Sequence, residues 1–99
     1  MRVTYRTKKI QKICTNASFA SREFGEVMAQ KIHQRIDEII AIPTIHEMLK
    51  FRVGRCHSLT GNRKNQYAVD LVHPFRMVFT VDSNGDIQIA NIEEIVDYH

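Results

Sequence analysis

The second half of this 99-residue chain holds most of the side chains that could do chemistry. Arg52, Arg55 and His57 stand close together, Arg63 and Lys64 come after them in a polar stretch, and the chain ends Asp97-Tyr98-His99. Histidine titrates near neutral pH and can take or give a proton. Arginine carries a planar fork of donors that grips a phosphate through two nitrogens. Arg76 lies between Phe75 and Met77 in an alternating run. Alternation sets it on the face opposite Phe75, Met77 and Phe79. From there it can reach a phosphate, or pair with Asp70 or Glu94 across a sheet. The terminal Tyr-His pair reads either as a functional group or as a frayed tail.

Other chemistries find no support. There is no Gly-rich phosphate loop, no HExxH and no paired-cysteine spacing, so neither nucleoside triphosphate chemistry nor a metal site is expected. No cofactor is implied. His33 and His46 stand alone on helical segments and read as surface or half-buried side chains. His73, before Pro74, reads as part of a turn. Cys14 and Cys56 lie far apart and read as reduced thiols.

The net charge is +3, and its distribution is uneven. Residues 1–22 hold Arg2, Arg6, Lys8, Lys9, Lys12 and Arg22 with no acid. Residues 50–76 hold Lys50, Arg52, Arg55, Arg63, Lys64 and Arg76 against Asp70 alone. The acids Asp82, Asp86, Glu93, Glu94 and Asp97 come next, without any Lys or Arg. Clustered positive charge suits a polyanionic partner, or simply a solvated basic surface. With 43% hydrophobic and 25% charged residues the chain is expected to fold as one domain over residues 1–99. No apolar run reaches the roughly 18–20 residues that span a bilayer. The first residues, MRVTYRTKKIQKI, lack the apolar stretch of a secretory signal. No membrane association and a cytoplasmic location are the expectation.

These side chains need elements to hold them. Residues 3–7, VTYRT, suggest a short strand. Ile10, Ile13 and Cys14 show helical spacing, and Asn16 and Ser18 offer caps for the next element. Ala20, Phe24, Met28, Ile32, Ile36 and Ile39/Ile40 recur at steps of three and four. This predicts one amphipathic helix over residues 18–42, with Arg22, Glu26, Lys31, Arg35 and Glu38 on its other faces. Gly25 is its weak point, and Pro43 ends it before a short turn over 44–49. Beyond residue 50 the period changes to two. Strands are expected over 51–56, around Tyr67–Val69–Leu71, around Phe75–Val81 and around Ile87–Ile89, with a polar loop over 59–65. Asn84-Gly85 marks a hairpin. The fold class is therefore α+β: an N-terminal strand and two helices packed on a mostly antiparallel sheet of three to five strands.

Three stretches in this half, together with the last three residues, carry a resemblance. Cys56-His57-Ser58-Leu59, then Gly61-Asn62-Arg63-Lys64, resembles the L-H-P-L-K-G-[DN]-R stretch of HigB-type toxins of the RelE/ParE toxin–antitoxin superfamily. Gln66-Tyr67-Ala68-Val69-Asp70-Leu71 resembles the strand after it, and Phe75-Arg76-Met77-Val78-Phe79 resembles the W/Y-R-[IL]-x-F strand. The terminal Asp97-Tyr98-His99 resembles the closing D-Y-H. Residues 50–99 carry the match, and the order of elements agrees over the rest. The family's lysine falls at Thr60 and its proline at Ser58. Arg55, Arg63 or Lys64 must then replace the lost cation, or phosphate stabilisation is weaker.

The resemblance implies an endoribonuclease that cuts messenger RNA, often in the ribosomal A site, and that is silenced by a cognate, usually helix-turn-helix, antitoxin. Carried over by position, its functional residues are His57, Arg76, Asp97, Tyr98 and His99, with Arg52, Arg55, Arg63 and Lys64 binding RNA. RNA cleavage can proceed by attack of the neighbouring 2′-hydroxyl on phosphorus. The protein must then move two protons and stabilise the charge on the phosphorane. His57 and His99 suit the proton transfers. Arg76 suits the charge, Asp97 the orientation of a histidine or the role of base, and Tyr98 the stacking of a base. Two other readings compete: a ParE-like gyrase poison without nuclease activity, and a non-catalytic RNA-binding module of the ribosome.

Overall fold

The computed structural model describes residues 1–61 and 65–97. Strand β1 (Arg2–Tyr5) leads into α1 (Lys8–Thr15), α2 (Ala17–Phe24), α3 (Glu26–Ala41) and α4 (Ile45–Lys50). A 3-10 turn (Val53–Arg55) then precedes β2 (His57–Ser58), β3 (Gln66–Asp70), β4 (Phe75–Asn84) and β5 (Ile87–Asp97). The sheet order is β1-β5-β4-β3-β2. Only β1 pairs in parallel, with β5; the other neighbours are antiparallel. The expected α+β class and mostly antiparallel sheet form, with five strands; four helices stand where two were expected.

Helices α1, α2 and α4 begin where a side chain satisfies an open N–H group. Thr7 Oγ1 accepts from Ile10 N at 3.1 Å, Asn16 Oδ1 from Phe19 N at 3.0 Å, and Thr44 Oγ1 from Glu47 N at 3.2 Å. The single helix expected over 18–42 is two helices. Gly25 takes φ +86, ends α2 and starts α3. A residue with a Cβ rarely adopts that conformation, whereas glycine does so freely. The apolar spacing across the break is unchanged, which is why periodicity did not reveal it. The segment read as a turn after Pro43 is the helix α4, capped by Thr44.

The helical layer covers one sheet face. Ile13, Ala20, Met28, Ala29, Ile32, Ile36, Ile39 and Met48 pack with Val69, Met77, Phe79, Ala90 and Ile92 in one buried cluster. Phe24 meets Phe75 edge-on, with ring centroids 5.9 Å apart, so α2 is tied to the start of β4. His33 reaches the Ile13 carbonyl at 3.2 Å and links α3 to α1, and His46 is exposed. The hairpin after β4 forms as expected, one residue later than the Asn-Gly pair suggests. Asn84 pairs with Ile87, leaving Gly85 (φ +63) and Asp86 as the loop. Among the described residues no helix is long and apolar enough to cross a membrane.

Cys14 and Cys56 are both free and buried. Burial pushes each thiol from 9.0 up to about 12. The native state thus keeps these protons after the unfolded chain has released them. Their contribution to stability is complete below pH 9.0 and declines as pH rises toward about 12. The urea midpoint is expected to fall between pH 9 and pH 11, and to fall less when both cysteines are alanine. An equal fall in the double variant rules the thiols out as its cause.

Candidate nucleic-acid interface

The sheet face away from the helices carries the predicted chemistry. Across β3 and β4, Val69 pairs with Met77 and Tyr67 with Phe79, and these four point into the core. The alternate pairs, Ala68 with Val78 and Asp70 with Arg76, therefore lie on the opposite face. This is the face alternation assigned to Arg76. His57 pairs with Ala68 and shares it. Ala68 and Val78, also on this face, are fully buried; His57, Asp70 and Arg76 border an open space beside them.

That space is a cleft of about 500 Å³ lined by Leu49, Arg52, Arg55, Cys56, His57, Ser58, Asp70 and Arg76. Four predicted residues, Arg52, Arg55, His57 and Arg76, thus converge on one cavity. Asp97 is the exposed last residue of β5, pairs with Phe75, and is not among the cleft's lining. Arg63, Lys64, Tyr98 and His99 lie outside the described residues. His73 occupies the β3–β4 turn, as expected. There it borders a cavity of about 70 Å³ with Asp70, Pro74, Phe75 and Arg76. The Cys56 thiol, pushed up to about 12, stays protonated at neutral pH and is no nucleophile there.

The strand expected over 51–56 is absent, for a visible backbone reason. Arg52 (φ +51), Gly54 (φ +59) and Arg55 (φ +57) all adopt the left-handed conformation, which curls the chain instead of extending it. The curl brings Arg52 and Arg55 to the cleft and returns the Arg55 carbonyl to within 3.0 Å of His57 Nδ1. A carbonyl only accepts, so Nδ1 carries the proton and neutral His57 keeps a lone pair on Nε2.

Asp70 sits between two arginines. Arg55 Nε lies 3.3 Å from Asp70 Oδ2, and Arg76 Nε lies 3.5 Å from Asp70 Oδ1. The pairing of Arg76 with Asp70 was one of the two fates its position allowed. The position of Asp70 is set from the far side by Arg35. Its Nε donates to the Asp70 carbonyl at 2.7 Å, and its Nη1 donates to Glu38 Oε1 at 2.7 Å. Arg35 was assigned to a solvated helix face, yet only 13% of its side chain is exposed. Gly54 makes room for it: a Cβ there would stand 2.8 Å from Arg35 Nε. Sequence reading missed the roles of Arg35 and Gly54 and the pairing of Asp70 with Arg55. The available signals were an Arg-x-x-Glu pair on α3 and one acid in an otherwise basic stretch.

No protein-family model matches the chain, and no curated protein matches it. Solved structures do. A YoeB/ParE toxin from Agrobacterium tumefaciens aligns over 100% of both chains, with a TM-score of 0.60 and 14% identity. The YoeB-YefM complex from Staphylococcus aureus aligns over 100% of this chain and 97% of that one, with a TM-score of 0.63 and 19% identity. The chain has the fold of the YoeB/ParE toxins. A third match, the YoeB dimer from Staphylococcus aureus, gives a TM-score of 0.57 at 17% identity over the same shares of both chains. Because identity with these YoeB structures is so low, the likeness is one of backbone and topology.

Gly54→Ala is expected to lose roughly 1–3 kcal/mol of stability, from overpacking and a disfavoured φ. Adding Arg35→Ala removes the clashing side chain, so the double variant should lose less than the sum of the single changes. Urea denaturation of all four proteins measures the coupling. Strict additivity would show that Gly54 and Arg35 act independently.

Proposed function

We propose that this protein is the toxin of a type II toxin–antitoxin pair and an endoribonuclease that cuts messenger RNA. The observation that carries the reading is the cleft. There a histidine with its Nδ1 committed to a carbonyl shares one cavity with Arg52, Arg55 and Arg76. The toxin fold and the motif resemblance, which is to the HigB type, support it.

The reaction in view is cleavage by the RNA's own 2′-hydroxyl. His57 Nε2 takes the 2′-hydroxyl proton as that oxygen bonds to phosphorus. Arg76, with Arg55, binds the non-bridging oxygens, where charge builds in the phosphorane. The 5′-oxygen leaves with a proton. The products are a 2′,3′-cyclic phosphate and a 5′-hydroxyl end. His99 is the acid we assign to the leaving oxygen, with Tyr98 stacking on a base and Asp97 orienting a histidine; these three assignments rest on the resemblance. Arg52, Arg63 and Lys64 bind flanking phosphates, which compensates for threonine at position 60. The ribosomal A site is the proposed setting in the cytoplasm. A helix-turn-helix antitoxin is the proposed silencing partner; one structural neighbour was solved as a YoeB-YefM complex.

Primer extension on messenger RNA after brief induction tests this. Discrete new 5′ ends within translated frames are expected from the wild type. Arg76→Ala should lower cleavage by roughly 10²–10³-fold, the effect of losing one preorganised donor to transition-state charge. His57→Ala and His99→Ala should lower it comparably. Growth arrest without new ends, together with inhibited supercoiling, would instead identify a gyrase poison.

A further inference from the structure

We propose that Asp70 is a built-in competitor for substrate phosphate. Its carboxylate stands between Arg55 and Arg76 where a phosphodiester of single-stranded RNA would bind, and it thereby sets the cleft's preference for polymer over free anions. The proposal rests on reading the cleft as a phosphodiester site. Three observations carry it. Each carboxylate oxygen faces a different guanidinium, at 3.3 Å and 3.5 Å, the arrangement a phosphate's two non-bridging oxygens would adopt. Both contacts are longer than the roughly 2.7–2.9 Å of a tight charge-assisted bond. Arg55 is 85% exposed and Asp70 30% exposed, so solvent screens the pair, and exposed ion pairs of this kind are weak. A phosphate can replace them.

The carboxylate cannot drift away by backbone motion. The backbone carbonyl of Asp70 accepts from Arg35 at 2.7 Å, and Asp70 pairs with Arg76 in the β3–β4 ladder. Only side-chain rotation takes it out of the gap, and even then it remains a negative charge beside the incoming anion. A lone phosphate must overcome that repulsion with two arginines. A strand of RNA also engages Arg52 on the same cleft wall. Free phosphate also carries close to a second negative charge near neutral pH, so the carboxylate repels it more than a singly charged phosphodiester, and the polymer is favoured over the single anion.

The test compares wild type, Asp70→Asn and Asp70→Ala. Inorganic phosphate and a 2′-O-methyl RNA oligonucleotide, which the protein cannot cleave, are titrated separately. Binding is read from the Nε–Hε resonances of Arg55 and Arg76 and from fluorescence anisotropy. Neither substitution removes the Arg35 contact, which is to the backbone, and circular dichroism checks the fold. Both variants are expected to bind phosphate about tenfold more tightly or better, about 1.4 kcal/mol or more. The gain for RNA should be smaller, so the polymer-over-phosphate ratio falls. The salt slope for RNA should steepen by about 0.7, one further phosphate contact on a single strand. Unchanged or weaker phosphate binding in both folded variants overturns the proposal, even where the wild type cleaves RNA. Tighter phosphate binding in variants of a protein that never cleaves RNA upholds it and removes the nuclease reading.

Discussion

The cleft depends on one largely enclosed guanidinium. Arg35 leaves α3, passes the Cα of Gly54 and ends on the carbonyl of Asp70, with Glu38 balancing its charge. Three segments distant in sequence are thereby fixed to one another. A side chain at position 54 would push the 3-10 turn away from α3, and with it Arg52, Arg55 and the carbonyl that orients His57. Loss of the guanidinium would leave the end of β3 held by strand pairing alone. A charge this enclosed is costly unless its donors are satisfied, and here two strong acceptors at 2.7 Å satisfy it.

The sheet supplies the other half of the design. Its helix-facing side is packed with large apolar residues, while on the opposite side His57, Asp70 and Arg76 line a shared cleft. Further along the same sheet the polar groups are already matched. Glu93 accepts from Thr80 at 3.1 Å and Asn91 at 2.9 Å, and lies 3.8 Å from Arg6. That end of the sheet carries its own balanced network, whereas the cleft end concentrates arginines around one acid. The uneven charge along the sequence thus becomes an uneven charge across one sheet.

Structural neighbours at 14–19% identity show how far such a backbone persists while its side chains change. Fold alone does not settle chemistry. The chemistry of this chain has to be read from the side chains on the open face, in particular an aspartate paired with two arginines. A carboxylate in that position moderates the attraction of the cleft for anions without altering the architecture that presents it.

Much of this was legible in the sequence. Period-two patterning placed β3, β4 and β5 and the side of β4 that carries Arg76, because a strand with one buried face must alternate. Apolar spacing placed the helical core for the same kind of reason. Asn16 was readable as a cap, and the basic clustering around residues 50–76 marked the region that forms the cleft. Other features were decided only by tertiary structure. Gly25 splits a helix whose apolar stripe runs on across the break, so periodicity is blind to it. The left-handed turn at Arg52, Gly54 and Arg55 lies against Arg35, nineteen residues before Gly54. The bond from Arg35 to the Asp70 carbonyl spans 35 positions. Local pattern reports which face a residue takes. It does not report which distant groups will meet there, because the packing of the layers decides that.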